Sequence, residues 1–319
     1  ALGDAMGMPA ELWGRKRVKA FFGRIEGFLD GPAENDVAFN YKKGQFTDDT
    51  GQALVLLDSI ESTDYEPDTR DIALRMLAWA EKENAFENNI LGPTSKVALA
   101  NFRDNIQDSR ITDKALSNGS AMRIAPIGCL FRPEQKEDIA RYVYLVSRAT
   151  HTSDVTIAGA AMIAEAVSSA IVKDDFEKVM EDVFGIEEIG YGMGCETFSP
   201  RLGERLRIGL DIAGSYKGDD EGFIHKLYDV VGTGVGIIES VPAALSVAYY
   251  AQDPNLSCLL CANMAGDTDT IGAMATAVCG AFTGMGRIKP EYIRTLRQQN
   301  DADFDHYIRI LEKGRERFA

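Results

Sequence analysis

The residues best equipped for chemistry fall in two acidic runs far apart in the chain, Thr47-Asp48-Asp49-Thr50 and Asp267-Thr268-Asp269-Thr270. Each run precedes a segment whose apolar residues recur at three- and four-residue steps. Ala53, Leu54, Leu57 and Ile60 follow the first; Ile271, Met274, Ala275, Val278 and Phe282 follow the second. That spacing makes one buried stripe on a helix. The residue types leave two readings open. The first is capping, because Thr and Asp are preferred at helix starts and negative charge there contributes about 0.3 to 1 kcal/mol. One Asp per helix would satisfy it. The second is a metal centre, because crowded carboxylates raise one another's pKa unless a cation neutralises them. Carboxylate and hydroxyl oxygens with no adjacent Cys or His suit hard ions such as Mg²⁺, Mn²⁺ or Ca²⁺ rather than Zn²⁺.

The elements that must hold these runs read as helices. Helical periodicity covers 51–60, 139–148, 155–172, 235–251 and 271–282, while alternating β-branched runs are almost absent, so the pattern predicts an all-α bundle. Segments 155–172 and 270–281 are rich in Ala and Gly, which lets backbones approach closely and marks them as central helices. Pro242 interrupts a helical pattern and predicts a kink or break near Val241. Gly, Pro and Asn make 33–45, 86–93 and 185–203 loop-like, and none resembles an interdomain linker. A single domain over 1–319 is the expectation.

The charge balance narrows the function classes. Lys and Arg total 34 against 49 Asp and Glu, a formal net charge of -15, which repels phosphate backbones and anionic lipid. Nucleic-acid and membrane partners are therefore not expected, and a phosphate-bearing substrate needs a local patch of backbone amides or bound metal. The five cysteines are an odd number in a chain of 319 residues, which fits free thiols in a reducing, cytoplasmic setting. Cys258 and Cys261 stand at C-x-x-C spacing, but no second Cys or His pair is near them, so they read as one buried helical face. The first twenty residues carry Asp4, Glu11, Arg15, Lys16, Arg17 and Lys19 instead of a signal-peptide core. The sequence begins at Ala1 without an initiator Met, so some upstream residues are expected to have been removed.

Six landmarks occur in order along nearly the whole chain: Gly3-Asp4-Ala5-Met6-Gly7, Phe46-Thr47-Asp48-Asp49-Thr50, Asn118-Gly119-Ser120-Ala121-Met122-Arg123, His151, Glu239-Ser240-Val241-Pro242 and Gly266-Asp267-Thr268-Asp269-Thr270-Ile271-Gly272. Each is modest alone; as an ordered set they resemble the ADP-ribosylglycohydrolase family. The resemblance implies an all-α fold with two divalent ions, Mg²⁺ or Mn²⁺, ligated by Thr47, Asp48 and Asp49 on one side and by Asp267, Asp269 and Thr270 on the other. It implies hydrolysis at the anomeric ribose carbon of an ADP-ribosylated protein side chain or an ADP-ribose-containing small molecule, by a monomer or small homo-oligomer. Glu11, Asp48 and Asp269 would be the catalytic residues, with Glu11 matching a mobile acidic residue that approaches the metals. The loop of Asn118, Gly119, Ser120, Met122 and Arg123 would wrap the diphosphate with backbone amides, with His151 near the phosphates and Gly92 near the leaving group. Read without the resemblance, Asn118-Gly119 is an ordinary turn, Arg123 an ion-pair partner in the core, His151 a structural histidine and Glu11 a solvated loop carboxylate. His225 and His306 read as surface or packing residues. At Ala265 the chain departs from a pattern that commonly has Gly, and the added methyl would narrow the backbone approach there. Two rival functions share the same scaffold: a hydrolase of a nucleoside or simpler ribosyl compound, and a non-catalytic ADP-ribose binder.

Overall fold

The computed structural model describes residues 1–88 and 90–318. Among them are seventeen α-helices and no strand, only isolated bridges such as Trp13 to Gly266. The all-α expectation holds. At the centre lies the Asp154–Val172 helix, in which every residue from Val155 to Ala170 is buried. It is long and apolar enough to cross a membrane, but it is sheathed by the helices Phe176–Tyr191, Lys136–Ser147, Ile237–Ala251 and Thr268–Thr283. Its small side chains let those neighbours close in from several sides, and burying each of its larger apolar residues stabilises the fold by ~1.5–3 kcal/mol.

Several elements differ from the sequence reading. The 185–203 segment is not all loop, because the Phe176–Tyr191 helix runs through its first part. Gly185 and Gly190 suggested a loop, yet Val179, Met180, Val183 and Ile186 form a buried stripe beside them, and burial outweighs the roughly 1 kcal/mol propensity cost of each Gly. Pro242 does not break its helix, which spans Ile237–Ala251 with Pro242 inside. Pro242 forgoes one backbone bond in the second turn, and the flanking Val241, Ala243, Ala244 and Leu245 are fully buried. Within 86–93, where Asn89 lies outside the described residues, turns lead to a helix starting at Pro93. Cys258 and Cys261 are buried on the Pro254–Met264 helix, as the sequence implied.

A second, smaller core joins Leu2, Met6, Trp13, Val18 and Ile25 to Cys258, Ala262, Tyr292 and Leu296. It fixes the N-terminal Leu2–Gly7 helix against the Thr268–Thr283 helix, and the fit depends on two glycines. A Cβ on Gly3 would stand 1.9 Å from the Gly272 carbonyl oxygen, and one on Gly7 would stand 2.2 Å from that of Thr268. Only backbone on backbone fits there, and this close crossing delivers Asp4 to the start of the Asp48–Ser62 helix.

Candidate functional site

The site is assembled where the N-termini of the Asp48–Ser62 and Thr268–Thr283 helices meet. Thr47 donates from Oγ1 to Asp269 Oδ2 at 3.3 Å, and Thr270 donates to Asp49 Oδ1 at 3.3 Å. The two distant acidic runs are therefore in reciprocal contact. Neither run spends a side chain on capping: Thr47 and Asp267 occupy the N-cap positions without a side-chain cap bond. The free amides of the first helix are satisfied by Asp4, which accepts from Thr47 N at 2.8 Å, Thr50 N at 3.0 Å and Thr50 Oγ1 at 2.5 Å. That releases Asp48 and Asp49 from the capping role.

The carboxylates crowd together out of water. Burial first, then neighbouring Asp4 and Asp267, push Asp48 up to about 8. Asp49 is raised well above the ordinary carboxylate range by burial and by Asp4 and Asp48. Burial followed by Glu11 and Asp49 does the same to Asp269. Asp267 is raised to about 6 by burial, restrained by the Asn118 amide that donates to its Oδ2 at 2.5 Å. Asp49 Oδ2 and Asp269 Oδ1 are buried with no hydrogen-bond partner. Buried charged oxygens normally find a donor, a counter-ion or a metal.

Glu11 joins this cluster. Its carboxyl is raised well above the usual range by burial and by Asp267 and Asp48, while a hydrogen bond with Asp269 pulls the other way. Its backbone is held from two sides. Leu12 N donates to Gly266 O at 2.7 Å, and the Asn35 side-chain amide donates to Glu11 O at 3.0 Å. Asn35 is itself buried, and its Oδ1 accepts from Val37 N and Ala38 N. Tyr41 closes the same loop, its carbonyl accepting from Gly31 N at 3.0 Å. Its phenol, raised by burial and by Asp48 and Glu11, stays protonated beside the carboxylates.

Asn118 ties the 118–123 loop to Asp267, and Gly92 precedes the Pro93–Arg103 helix, which a 3.0 Å contact between Thr94 Oγ1 and Ser117 Oγ links to that loop. The side chains of Arg123, His151 and Ser120 are buried and bonded within the protein, so that this loop offers a ligand its backbone. Arg123 is fully buried and donates to Gln52 Oε1 at 2.5 Å and Thr150 Oγ1 at 2.6 Å. Gln52 in turn donates to Asp48 Oδ2 at 2.9 Å, so Arg123 steadies Asp48 through one relay. His151 is buried between Ser117 Oγ and Thr150 Oγ1, and burial together with Arg123 drives its pKa well below the ordinary value. It is a neutral support beneath Gly119, where an added Cβ would stand 2.7 Å from its ring. Ser120 Oγ donates to Thr156 O, leaving only its backbone for a ligand. Met122 lines an apolar cavity of about 450 Å³ with Leu54, Leu57 and Ile171, which also reaches Asp49 and Thr50. Glu239 accepts from Gly234 N at 2.8 Å, bracing the turn whose Thr233 carbonyl accepts from Asp267 N at 2.7 Å.

Ala265 occupies φ 73°, ψ 167°, a region suited to Gly that costs other residues about 1–3 kcal/mol. Gly266 follows at φ 87°, where a Cβ would stand 2.2 Å from Thr233 O. Strained backbone thus leads directly into Asp267.

Comparisons with known proteins show the family and the fold. The sequence profile of the ADP-ribosylglycohydrolase family matches residues 1–317. The uncharacterized protein YegU of Escherichia coli K12 is 44% identical over 317 residues, covering 99% of this chain and 95% of that protein. Human ADP-ribosylhydrolase ARH3 is 24% identical over 289 residues, covering 81% of this chain and 76% of its own. A solved chain from an ADP-ribosylglycohydrolase-related protein complex superimposes with a TM-score of 0.69 at 21% identity, covering 99% of this chain and 93% of that chain. With a profile match along almost its entire length, the chain belongs to the ADP-ribosylglycohydrolase family.

Proposed function

We propose that this protein hydrolyses the glycosidic bond at the anomeric carbon of an ADP-ribosyl group, releasing ADP-ribose from a modified protein side chain or small molecule. We further propose that two divalent ions, Mg²⁺ or Mn²⁺, are held by Thr47, Asp48 and Asp49 and by Asp267, Asp269 and Thr270. The observation that carries this is the pair of buried, unpartnered oxygens, Asp49 Oδ2 and Asp269 Oδ1, inside a cluster of carboxylates raised by burial and mutual repulsion. Among the described residues no three His, Cys, Asp or Glu side chains converge as one metal cage. The threonine hydroxyls, water and substrate oxygens would complete such coordination, as hard ions accept. Bound there, the ions would supply positive charge and a water polarised for attack.

The remaining work falls to residues of this chain. Glu11, within the cluster beside Asp269, can hold or pass a proton at the opening glycosidic bond. Asn118 orients Asp267, and Gln52 with Arg123 orients Asp48, so both helix starts are braced from outside the cluster. The 118–120 turn would take the diphosphate through its Gly119 and Ser120 amides, supported by His151, which packs against Gly119. Purified protein incubated with Mg²⁺ and ADP-ribosylated arginine or serine peptides should release free ADP-ribose, read by mass spectrometry. Tight ADP-ribose binding without release would convert the reading to a binder, and release of ribose from simple nucleosides alone would convert it to the other hydrolase.

A further inference from the structure

Beside the carboxylate cluster, meeting it at Thr47 rather than at the Asp267 that Asn118 holds, lies a cavity of about 400 Å³ lined by Tyr41, Thr47, Trp79, Glu83, Asn300 and Asp301 among others. It reaches the cluster at Thr47, whose hydroxyl donates to Asp269. Gly51, one turn into the helix, also lines it, and a Cβ there would stand 3.0 Å from the Trp79 indole nitrogen. The missing side chain lets the indole lie against the helix and form a flat wall. Tyr41 stands where cavity and cluster join, placed by the 31–41 loop: Gly31 N holds its carbonyl, and Asn35 ties the loop to Glu11.

Charge decides which half of a substrate this cavity suits. Its rim carries the Glu83 and Asp301 carboxylates. Its lysine, Lys82, lies 4.0 Å from Glu83, and Asp301 has no ion-pair partner among the described residues. A diphosphate entering there would meet negative charge with no cation to spare. An uncharged or cationic group would meet aromatic faces, amides and carboxylates, all of which suit it.

Resting on the hydrolysis proposed above, we infer that this cavity is the leaving-group compartment, that it accepts an uncharged or cationic amino-acid side chain carried on a peptide, and that Tyr41 and Trp79 select it. ADP-ribose then occupies the Asn118 side, and the bond to be cut lies between the two sides, beside Glu11.

The test separates the halves of the substrate. Trp79→Ala and Asp301→Asn should each raise KM for an ADP-ribosylated peptide by roughly three- to tenfold, the size expected for one lost contact, while inhibition by free ADP-ribose stays at the wild-type level. Asp301 is exposed, so Asp301→Asn does not depend on tolerance of a core change. Weaker inhibition by ADP-ribose in both variants would overturn the inference, because it would put the nucleotide half in this cavity. Unchanged peptide KM in both would overturn it as well. A wild-type protein that neither binds nor releases ADP-ribose would sink the parent reading, and this one with it.

Discussion

The helices beginning at Thr69, Phe176, Asp220 and Pro254 start beside an aspartate, as do those beginning at Asp48 and Thr268, yet the two groups of carboxylates live under opposite conditions. Asp68, Asp175, Asp219 and Asp253 each accept hydrogen bonds from backbone amides of the turn they begin. For Asp253, burial alone would raise the pKa, but the Arg287 hydrogen bond and the Leu256 and Asn255 amides bring it below the ordinary value. Asp48, Asp49, Asp267 and Asp269 make no cap bond, and every one of them is raised. Asp253, faced by Arg287 and backbone amides, is stabilised as a carboxylate, whereas the four carboxylates of the cluster, faced by one another, are destabilised. The cluster is therefore a site of stored repulsion, which a bound cation would relieve.

The sharpest way to break this contrast is to remove a carboxylate from the cluster. Asp269→Ala should lower kcat by about a thousandfold or more, since it deletes a proposed ligand and the partner of Glu11, while the helical circular-dichroism signal is retained. Wild-type turnover in this variant would refute the ligand assignment. A smaller effect concerns stability against pH. Asp48 and Asp267 move from 3.8 up to about 8 and about 6 in the folded protein, so the folded state binds more protons than the unfolded state between those values. Stability of the metal-free protein should then fall as pH rises from about 4 to about 8. Saturating Mg²⁺ or Mn²⁺ should flatten the slope by pairing the charges. Melting temperatures across that range, with chelator and with metal, check it; slopes that coincide would count against a cation at the cluster.

What could be read from sequence was whatever lay in one local run. The two acidic helix starts, the stripes behind them and the all-α class were visible because helix periodicity and terminal acids are short-range signals. Asp4 was read as part of a landmark and as one charge near the N-terminus, never as a cap, since that role depends on the Gly3–Gly272 crossing, a contact between chain ends. Gln52 stands four residues from Asp48, a visible spacing, but its meaning needed Arg123 behind it. Asn35 and Tyr41 sit in a loop without periodicity, so nothing marked them. Whether Arg123 and His151 were supports or ligand contacts was left open, because burial at 123 and 151 is set by helices distant in sequence. The Phe176–Tyr191 helix escaped because its glycines look like loop residues when their packing partners are unseen.

The mildest test sets an ordinary helix start against the acidic pair. Asp175 accepts from Glu177 N at 3.0 Å and sits far from the cluster, at the beginning of the Phe176–Tyr191 helix. Asp175→Ala removes one cap and should cost about 1 kcal/mol, seen as a melting temperature lower by roughly 2–4 °C. Its kcat and its response to Mg²⁺ should match the wild type. The comparison with Asp269→Ala is informative because both substitutions take one carboxylate from the first residues of a helix. If charge near a helix start were all that mattered, the two variants would lose stability alike and neither would lose turnover selectively. If the buried cluster is the engine, stability drops in the capping variant and activity drops in the other. A fall in turnover for Asp175→Ala comparable to that for Asp269→Ala would erase the distinction between the two kinds of helix start.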